Sequence, residues 1–378
     1  MQIPFNIFDT LPRDCWVDID ASQLADNIRI LQAHAGCPAL AVIKANGYGH
    51  GYQNAARAFL VGGASYLGVA SLSEGMLLRQ MGITAPVLII CGMLPAEMAT
   101  AAQAGLEFFV WRSDHVTALR EMPKGRKPIR VHLEIDTGMG RGGCWPEEAV
   151  QIAQELRQIE GIELAGLCTH FASADILDID DTPRQIDRFN QAIAALAAVG
   201  IRPEIIHAAN SPGSLYFPQA RYDMVRLGVV AYGVPPDEGL AIPDGVKTAL
   251  TWRARITSTK ILPADHGVGY GSEYTMPSSS RIGVLPVGYA DGFRRVPKNI
   301  NTVLIEGQER KVLGRVCMDQ CMIDLSGLGD ITGAEAILIG RQGDRQISVE
   351  DVARRWNTNP YDVYTGIATR VPRHAAGA

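Results

Sequence analysis

The stretch AVIKANGYGHG, residues 41–51, sets a lysine at the end of a short apolar run and follows it with three glycines, a tyrosine and a histidine. The residues ALAVI (39–43) predict a buried β-strand, which brings Lys44 to the end of that strand. A primary amine in such a place is costly unless it is paired or used chemically. Lys44 is therefore the first candidate functional residue.

Apolar runs of this kind recur along the chain and alternate with helical patterns. The predicted strands are ALAVI (39–43), YLGVA (66–70), PVLII (86–90), LEFFV (106–110), IRVHLEI (129–135), ELAGLC (163–168), EIIH (204–207) and MVRLG (224–228). Eight such runs with helices between them have the spacing of a (β/α)8 barrel, an α/β fold. A doubly wound open sheet is the competing arrangement.

The secondary-structure pattern of the sequence changes near residue 245. Beyond it, short β-type runs are separated by Gly, Pro and Asn turns, and VEDVARRW (349–356) is the single clear helix. A chain of 378 residues also exceeds the size that one hydrophobic core usually reaches. We therefore predict, from the sequence pattern alone, a barrel domain at 1–245 and a mainly β domain at 246–378, with about the first 15 residues packing with the β domain.

Composition excludes several classes of partner. The formal charge is −5, and the 35 basic residues are scattered, which argues against a nucleic-acid or membrane surface. The seven cysteines show no CxxC spacing, so neither a zinc site nor a disulfide framework is predicted, and no metal is expected. Without a signal peptide or a membrane-length apolar run, the chain is expected to be cytoplasmic.

Polar residues follow five of the predicted strands. They are Lys44, Arg141 in DTGMGRGG, His170 in CTHFASAD, Asn210 and Ser211 in HAANSPGS, and Arg226 and Gly228 in MVRLGVVAYG. Side chains at the carboxyl ends of barrel strands converge on the face that carries the active site. Each residue alone has an ordinary structural explanation, but their recurrence at five strand ends favours a functional set.

The chemistry of this set points to a cofactor. A lysine at a barrel mouth can form a Schiff base with an aldehyde, either of a substrate or of pyridoxal 5'-phosphate (PLP). Backbone N–H groups around Ser211, Gly228 and Val229 lie after the seventh and eighth strands, where barrels commonly bind phosphate. Lysine and phosphate site together predict PLP, with the hydroxyl of Tyr48 available to the phosphate.

The motifs on which these residues lie resemble those of a known family. In order, they are AVIKANGYGHG, IDTGMGRGG, THFASAD, HAANSPGSL, VRLGVVAYG, GVGYGSEY, LPVGYADGF, GRVCMDQ and RVPR. They resemble the motifs of the alanine racemases, fold-type III PLP enzymes, over roughly residues 15–373. So many motifs in the family's order are far more specific than the lysine motif alone.

The resemblance implies a two-base reaction. Lys44 would bind PLP and, once released, act as one base at the substrate Cα, and Tyr270 would be the second base, supplied by the partner chain of a homodimer. Racemisation removes a proton from one face of Cα and returns one to the other, so bases on opposite faces are a physical requirement.

The resemblance also implies roles around the cofactor. Arg141 would bind the phenolic oxygen of PLP and the substrate carboxylate. Arg226 would face the pyridine nitrogen, with His170 as its hydrogen-bonding neighbour and Tyr289 close to His170. Because a guanidinium does not readily give up a proton, it weakens the electron sink and favours simple proton exchange.

Two further residues and two departures complete the comparison with the family. Met318 and Asp319 match the pair that lines the carboxylate pocket from the partner chain. The family often has a lysine, commonly carbamylated, where this chain has Glu134, so we expect Glu134 to supply the negative charge to Arg141. Thr369 replaces a tyrosine before RVPR, and we expect serine or larger amino acids to be accepted alongside alanine.

Other classes are weighed against alanine racemisation. They are a broad-specificity racemase of serine or lysine, a PLP-dependent decarboxylase of the same fold, a non-catalytic PLP-binding module and a metal-dependent barrel hydrolase. The decarboxylase would set a carboxylate against the pyridine nitrogen, and the binding module would need neither the β domain nor Tyr270. The hydrolase would need a ligand cluster, for which DIDD (178–181) is the nearest match.

Overall fold

A computed structural model describes residues 12–123, 125, 127–296 and 300–376. The described residues divide into two compact units, a barrel unit of Gln23–Gly47 and Ala55–Thr248 and a β unit of residues 12–22, 48–54 and 249–376. The first strand, β1 (Cys15–Asp20), belongs to the β unit and is followed by α1 (Ala21–Ala35). The domain boundaries proposed from the sequence, 1–245 and 246–378, stay a prediction.

The barrel unit contains a sheet of eight parallel strands. They are β2 (Ala39–Val42), β3 (Tyr66–Val69), β4 (Val87–Ile89), β5 (Glu107–Val110), β6 (Ile129–Glu134), β7 (Ile162–Cys168), β8 (Ile205–His207) and β9 (Val225–Leu227). The order is β8-β7-β6-β5-β4-β3-β2-β9. Backbone bonds from Asp223 N to Ile206 O (3.0 Å) and from Arg226 N to Ala209 O (2.8 Å) link the two edges. The predicted (β/α)8 barrel is confirmed, and the open sheet is wrong.

Helices alternate with these strands. They are α2 (Lys44–Tyr48), a left-handed turn, then α3 (Tyr52–Val61), α4 (Leu72–Gln80), α5 (Pro95–Gln103), α6 (Ser113–Glu121), α7 (Ala149–Arg157), α8 (Asp181–Ala198) and α9 (Ser211–Tyr216). The spacing of buried residues explains why they form: α8 buries Ile186, Phe189 and Leu196 along one stripe. No helix in the described part of the chain combines the length and the apolar character that a membrane crossing requires.

The β unit is mainly antiparallel. Its further strands are β10 (Leu250–Arg255), β11 (Ser258–Leu262), β12 (Gly267–Val268), β13 (Tyr274–Thr275), β14 (Ser280–Leu285), β15 (Thr302–Ile305), β16 (Gln308–Leu313), β17 (Cys321–Asp324), β18 (Glu335–Gln342), β19 (Arg345–Ile347) and β20 (Arg373–Ala376). The main sheet has the order β11-β14-β17-β16-β15-β18-β10-β1-β20, with β19 on β18, and β12 pairs with β13. The mainly β character predicted for the C-terminal residues is confirmed.

Two helices lie between β19 and β20 of the β unit. The predicted α10 (Val349–Trp356) is confirmed, and a capping box of Ser348 and Asp351 begins it. The prediction of a single helix is wrong, because α11 (Pro360–Gly366) follows. With only seven residues, α11 is too short to show a helical period in the sequence, although Asn359 caps its first turn and Pro360 occupies the first helical position.

Candidate active site

Lys44 begins a strained turn at the carboxyl end of β2. The next three residues, Ala45–Gly47, have φ between 53° and 59° and ψ between 45° and 53°, the left-handed region. A residue with a side chain pays about 1–2 kcal/mol for this conformation. Glu74 holds the turn in place, because its Oε1 accepts a bond from Ala45 N (2.9 Å). Strain of this kind clusters at functional sites, where surrounding structure enforces it.

Arg226 is the most extensively bonded side chain at this end of the barrel. It is 5% exposed, and its Nη1 donates to His207 O and lies the same distance, 2.9 Å, from His207 Nδ1. Its Nη2 donates to Thr169 O (2.6 Å) and Ala208 O (2.9 Å) and lies 3.2 Å from His170 Nδ1. These contacts fix the plane of the guanidinium, while burial lowers the pKa of Arg226.

His170 shows that the predicted cations come together. Burial lowers its pKa well below the usual value for histidine. The positive charges of Arg226, Arg141 and Lys44 lower the pKa of His170 further, in that order. A neutral imidazole therefore stands among three cationic side chains that come from the ends of three different strands.

Glu134 is a buried carboxyl group of this region. It ends β6 and is 7% exposed, and its Oε2 lies so close to Gly142 that a Cβ there would be 3.1 Å away. Burial raises the pKa of Glu134 to about 7, although the positive charges of Arg226 and Arg141 oppose this rise. The carboxyl group thus responds to both arginines, whereas the sequence had suggested only Arg141.

A hydrogen bond links the loop after β8 to the loop after β9. Asn210 caps α9, since its Oδ1 accepts a bond from Gly213 N (3.0 Å). Ser211 is buried, and its Oγ accepts a bond from Gly228 N (3.0 Å). Val229 begins a short 3₁₀ turn, and the first N–H groups of such a turn have no carbonyl partner within it. The structure thus brings together four of the residues predicted to surround a phosphate, namely Asn210, Ser211, Gly228 and Val229.

A buried glutamine that the sequence analysis missed supports the loops after β6 and β7. Gln185 of α8 is fully buried, and its Oε1 accepts a bond from Ala172 N (2.9 Å). Its Nε2 donates to His170 O (3.0 Å) and Thr137 Oγ1 (3.1 Å). The available signal was its position, because Gln185 lies on the same stripe as the buried Ile186, where an apolar residue is expected.

The β unit carries the remaining predicted residues, most of them at its surface. Tyr270 is 68% exposed and Met318 is 53% exposed. Asp319 is also exposed, and it accepts a bond from Arg370 Nη2 (2.7 Å), whose Nε bonds to the buried Asp291 (2.7 Å). Asp319 is therefore held by the arginine that directly follows Thr369.

The second half of the lysine motif lies in the β unit and is held there by the RVPR residues. Gly49 O accepts a bond from Arg373 Nε (3.1 Å), and His50 stacks edge-on against Tyr364 with 5.1 Å between ring centroids. A Cβ at Gly49 would lie 2.1 Å from Tyr364 O, and the φ of Gly49 is +81°. Only glycine fits at this position, immediately after Tyr48.

The fold is that of a (β/α)8 barrel joined to a mainly β unit, with cationic side chains at the carboxyl ends of several barrel strands. Two family models match the chain, the alanine racemase N-terminal domain over residues 19–236 and the alanine racemase C-terminal domain over residues 249–375. The chain therefore belongs to the alanine racemase family, as the motifs had predicted.

Individual relatives agree with this assignment. The chain is 42% identical to an alanine racemase of Symbiobacterium thermophilum (97% of this chain, 98% of the relative) and 40% identical to one of Geobacillus stearothermophilus (96% and 93%). Among solved structures, an E. faecalis alanine racemase superposes with a TM-score of 0.91 at 34% identity (96% of this chain, 98% of that chain). A Bacillus anthracis alanine racemase with bound L-Ala-P gives 0.92 at 32% (97% and 96%).

Proposed function

We propose that this protein interconverts L- and D-alanine with PLP as cofactor, using Lys44 and Tyr270 of the partner subunit as its two bases. The observation that carries the proposal is the contact of Arg226 Nη2 with His170 Nδ1 (3.2 Å), at a place where the positive charges of Arg141 and Lys44 also lower the pKa of His170. We further propose that the protein is a cytoplasmic homodimer. Its substrate would be a small amino acid, and it would bind neither nucleic acid nor a membrane.

The residues of the barrel unit fit PLP in charge. The cofactor carries a phosphate and a phenolic oxygen, and its substrate adds a carboxylate. The three positive charges of Lys44, Arg141 and Arg226 lower the pKa of the imidazole of His170. Glu134 and Asp136 are buried carboxyl groups of this region. This excess of positive charge suits an anionic ligand, and when bound, PLP withdraws electrons from the substrate Cα so that its proton becomes removable.

Each residue has a task in this proposal. Lys44 would hold the cofactor through Nζ, and the phosphate would be bound by the hydroxyls and N–H groups of a second set of residues. This phosphate set is Tyr48, Asn210, Ser211, Gly228 and Val229. Arg226 would face the ring nitrogen, and because a guanidinium holds its proton, it orients the ring without protonating it.

The substrate carboxylate would be bound by Arg141, with Met318 and Asp319 of the partner subunit lining the pocket. Lys44 Nζ would take or return a proton on one face of Cα, and the hydroxyl of Tyr270 of the partner subunit would do so on the other. The placement of Tyr289 near His170 stays a prediction. Arg226, rather than a carboxylate, is the buried charged group of β9, which speaks against the decarboxylase alternative.

The experiment that tests the proposed function combines a spectrum with a turnover assay. The purified protein should absorb in the visible region as a lysine-bound pyridoxal does, and borohydride should fix the cofactor on Lys44. Incubation with L-alanine, L-serine and L-lysine should then cause loss of optical rotation, fastest with alanine. A fixed cofactor without racemisation would favour a decarboxylase or a binding module, and no fixed cofactor would overturn the proposal.

Replacing Glu134 by glutamine is expected to weaken substrate binding in a pH-dependent way. With a pKa of about 7, the carboxyl group becomes ionised as the pH rises from 6 to 8, and its charge then steadies Arg141. The KM for alanine should be about tenfold higher in Glu134→Gln at pH 8, the equivalent of about 1.4 kcal/mol, and nearly unchanged at pH 6. Steady-state kinetics across this range check the prediction. The exposed Glu147→Gln is the matched control, and identical KM profiles for parent and Glu134→Gln would refute it.

Restoring the aromatic ring at position 369 is expected to narrow the substrate range. Thr369 is exposed and precedes the arginine that holds Asp319. A larger side chain there should disfavour serine relative to alanine, by about 1–3 kcal/mol, the range for one methylene or hydroxyl. The measurement is the ratio of kcat/KM for serine to that for alanine in the parent, Thr369→Tyr and Thr369→Phe. The phenylalanine variant separates the effect of bulk from that of the hydroxyl. An unaltered ratio in both variants would remove Thr369 as a determinant of specificity.

A further inference from the structure

A buried chain of polar side chains leads away from Arg226 through the barrel unit. His207 of β8 lies 2.9 Å from Arg226 Nη1 through its Nδ1, and its Nε2 lies 2.9 Å from Nδ1 of His132 on β6. His132 Nε2 in turn lies 2.8 Å from Oε2 of Glu107 on β5. Both histidines are fully buried, and Glu107 is nearly so. Four side chains from four strands thus form one continuous line.

Only one arrangement of protons satisfies this line with both rings neutral. A guanidinium can only donate, so Nδ1 of His207 accepts and its proton must be on Nε2. That proton is donated to Nδ1 of His132, which leaves the proton of His132 on Nε2, directed at Glu107. Burial lowers the pKa of His207 well below its usual value, as a neutral ring requires. Every bond therefore runs in the same direction, from Arg226 towards Glu107.

The far end of the line is an ionised carboxylate. Burial alone would raise the pKa of Glu107, but His132 and Arg130 outweigh it and lower the pKa. Arg130 Nε donates to Glu107 Oε1 (3.1 Å), and Arg130 Nη2 also contacts the more exposed Glu204 (2.9 Å). Tyr66 adds a longer contact to Glu107 (3.4 Å). The negative charge of Glu107 is thereby fixed in place.

The neighbouring strand makes room for this line. A Cβ at Gly166 of β7 would lie 2.0 Å from Nδ1 of His132, so any larger residue there would displace the ring. The pairing of β6 with β7 also shifts by one residue at Val131 and His132. The rings of His132 and His207 meet edge to face, with centroids 5.1 Å apart. The backbone is thus shaped around the imidazole that connects the two ends.

We propose that His207, His132 and Glu107 are positioning residues that set the orientation and the donor strength of Arg226 towards the ring nitrogen of PLP, an inference that rests on the proposed function. The negative charge at Glu107 polarises both imidazoles and makes Nδ1 of His207 a stronger acceptor. That acceptor draws positive charge from Nη1 of Arg226. The guanidinium is left a weaker donor towards the cofactor, which limits the electron sink to what proton exchange requires.

The test removes the negative charge of Glu107 and keeps the size and shape of its side chain. Glu107→Gln should still accept a bond from His132 but carries no charge. We expect kcat for alanine to fall about tenfold with little change in KM, because a hydrogen bond to a charged group is replaced by a weaker one to a neutral group, and Arg226 is then held less firmly in its orientation. The absorbance maximum of the bound cofactor should shift. More pyruvate should form per racemisation event, because a stronger sink would let the Cα proton pass to the aldehyde carbon of the cofactor instead of returning to Cα. Water would then release pyruvate, with the amino group of alanine left on the cofactor.

Matched variants separate this role from a purely structural one. Glu204→Gln removes another carboxylate partner of Arg130 without touching His132, and it should keep the parental spectrum and kcat. His132→Gln can accept from His207 and donate to Glu107, so it should retain more activity than His132→Leu, which can do neither. If Glu107→Gln does not fold, the two His132 variants still test the positioning role.

The outcomes are distinguishable from those of the proposed function. If the parent protein holds no PLP or does not racemise alanine, the proposed function fails before any variant is made. If the parent racemises alanine but Glu107→Gln keeps its spectrum, kcat and pyruvate ratio, only the positioning role is overturned. Equal losses in Glu204→Gln and Glu107→Gln, or in both His132 variants, would likewise overturn it.

Discussion

Replacing Lys44 by alanine is expected to abolish racemisation, with a loss of kcat of about 10⁴-fold or more. The variant loses both a proton-transfer group, which alone is worth about 10²–10⁴-fold, and the amine that holds the cofactor. Initial rates with L-alanine and with D-alanine measure the loss, and borohydride should no longer fix PLP on the protein.

The fold of this variant should be preserved. The left-handed turn is formed by Ala45–Gly47 and held by Glu74, and none of these residues is changed. Thermal unfolding of Lys44→Ala should therefore resemble that of the parent. The exposed lysine of β11 provides the control, since Lys260→Ala should keep full activity. Residual racemisation within tenfold of the parent would exclude Lys44 as a catalytic base.

The second large effect is expected for Tyr270→Phe. Removing the hydroxyl takes away the proposed base on the other face of Cα, so kcat should fall by about 10²–10⁴-fold in both directions. Because the side chain is 68% exposed, the free energy of unfolding should change by no more than about 0.5 kcal/mol. Kinetics and thermal unfolding of the same preparation measure both quantities.

A mixing experiment tests whether this tyrosine acts across a dimer. If each site combines Lys44 of one subunit with Tyr270 of the partner subunit, a heterodimer of Lys44→Ala and Tyr270→Phe chains has one intact site. Random exchange of two inactive preparations would then restore about a quarter of the parental activity, since half of the dimers are mixed and each has one working site. If each chain supplies both bases to its own site, no activity returns, and the proposed homodimeric site is refuted.

Much of the barrel could be predicted because its strands have local signals. Each of the eight apolar runs lies within a residue or so of an observed strand, since a parallel strand covered on both faces is apolar along its length. Strand β1 (Cys15–Asp20) was not predicted because two aspartates interrupt its apolar run, and because its partners β10 and β20 lie more than 200 positions away in the chain. Helix α11 was not predicted because its seven residues are too few to show a helical period.

The sequence indicated which residues belong to the candidate site more completely than it indicated the contacts between them. Lys44, Arg141, His170 and Arg226 could be selected because they follow strands whose ends must converge. Nothing local indicates that Gln185 supports the backbone of His170, or that Glu134 responds to Arg226 as well as to Arg141. Such contacts depend on side-chain directions that are set only when strands and helices have packed.

The sequence by itself determined the class of fold, the family and the residue types at the strand ends, because apolar periodicity and ordered motifs are carried by neighbouring residues. Only the tertiary structure decided which groups meet: Arg226 bonds to His207, 19 positions away, and through it to His132 and Glu107. The physical reason is that hydrogen bonds require atoms within about 3 Å, and distant parts of a chain reach that separation only when the sheet closes.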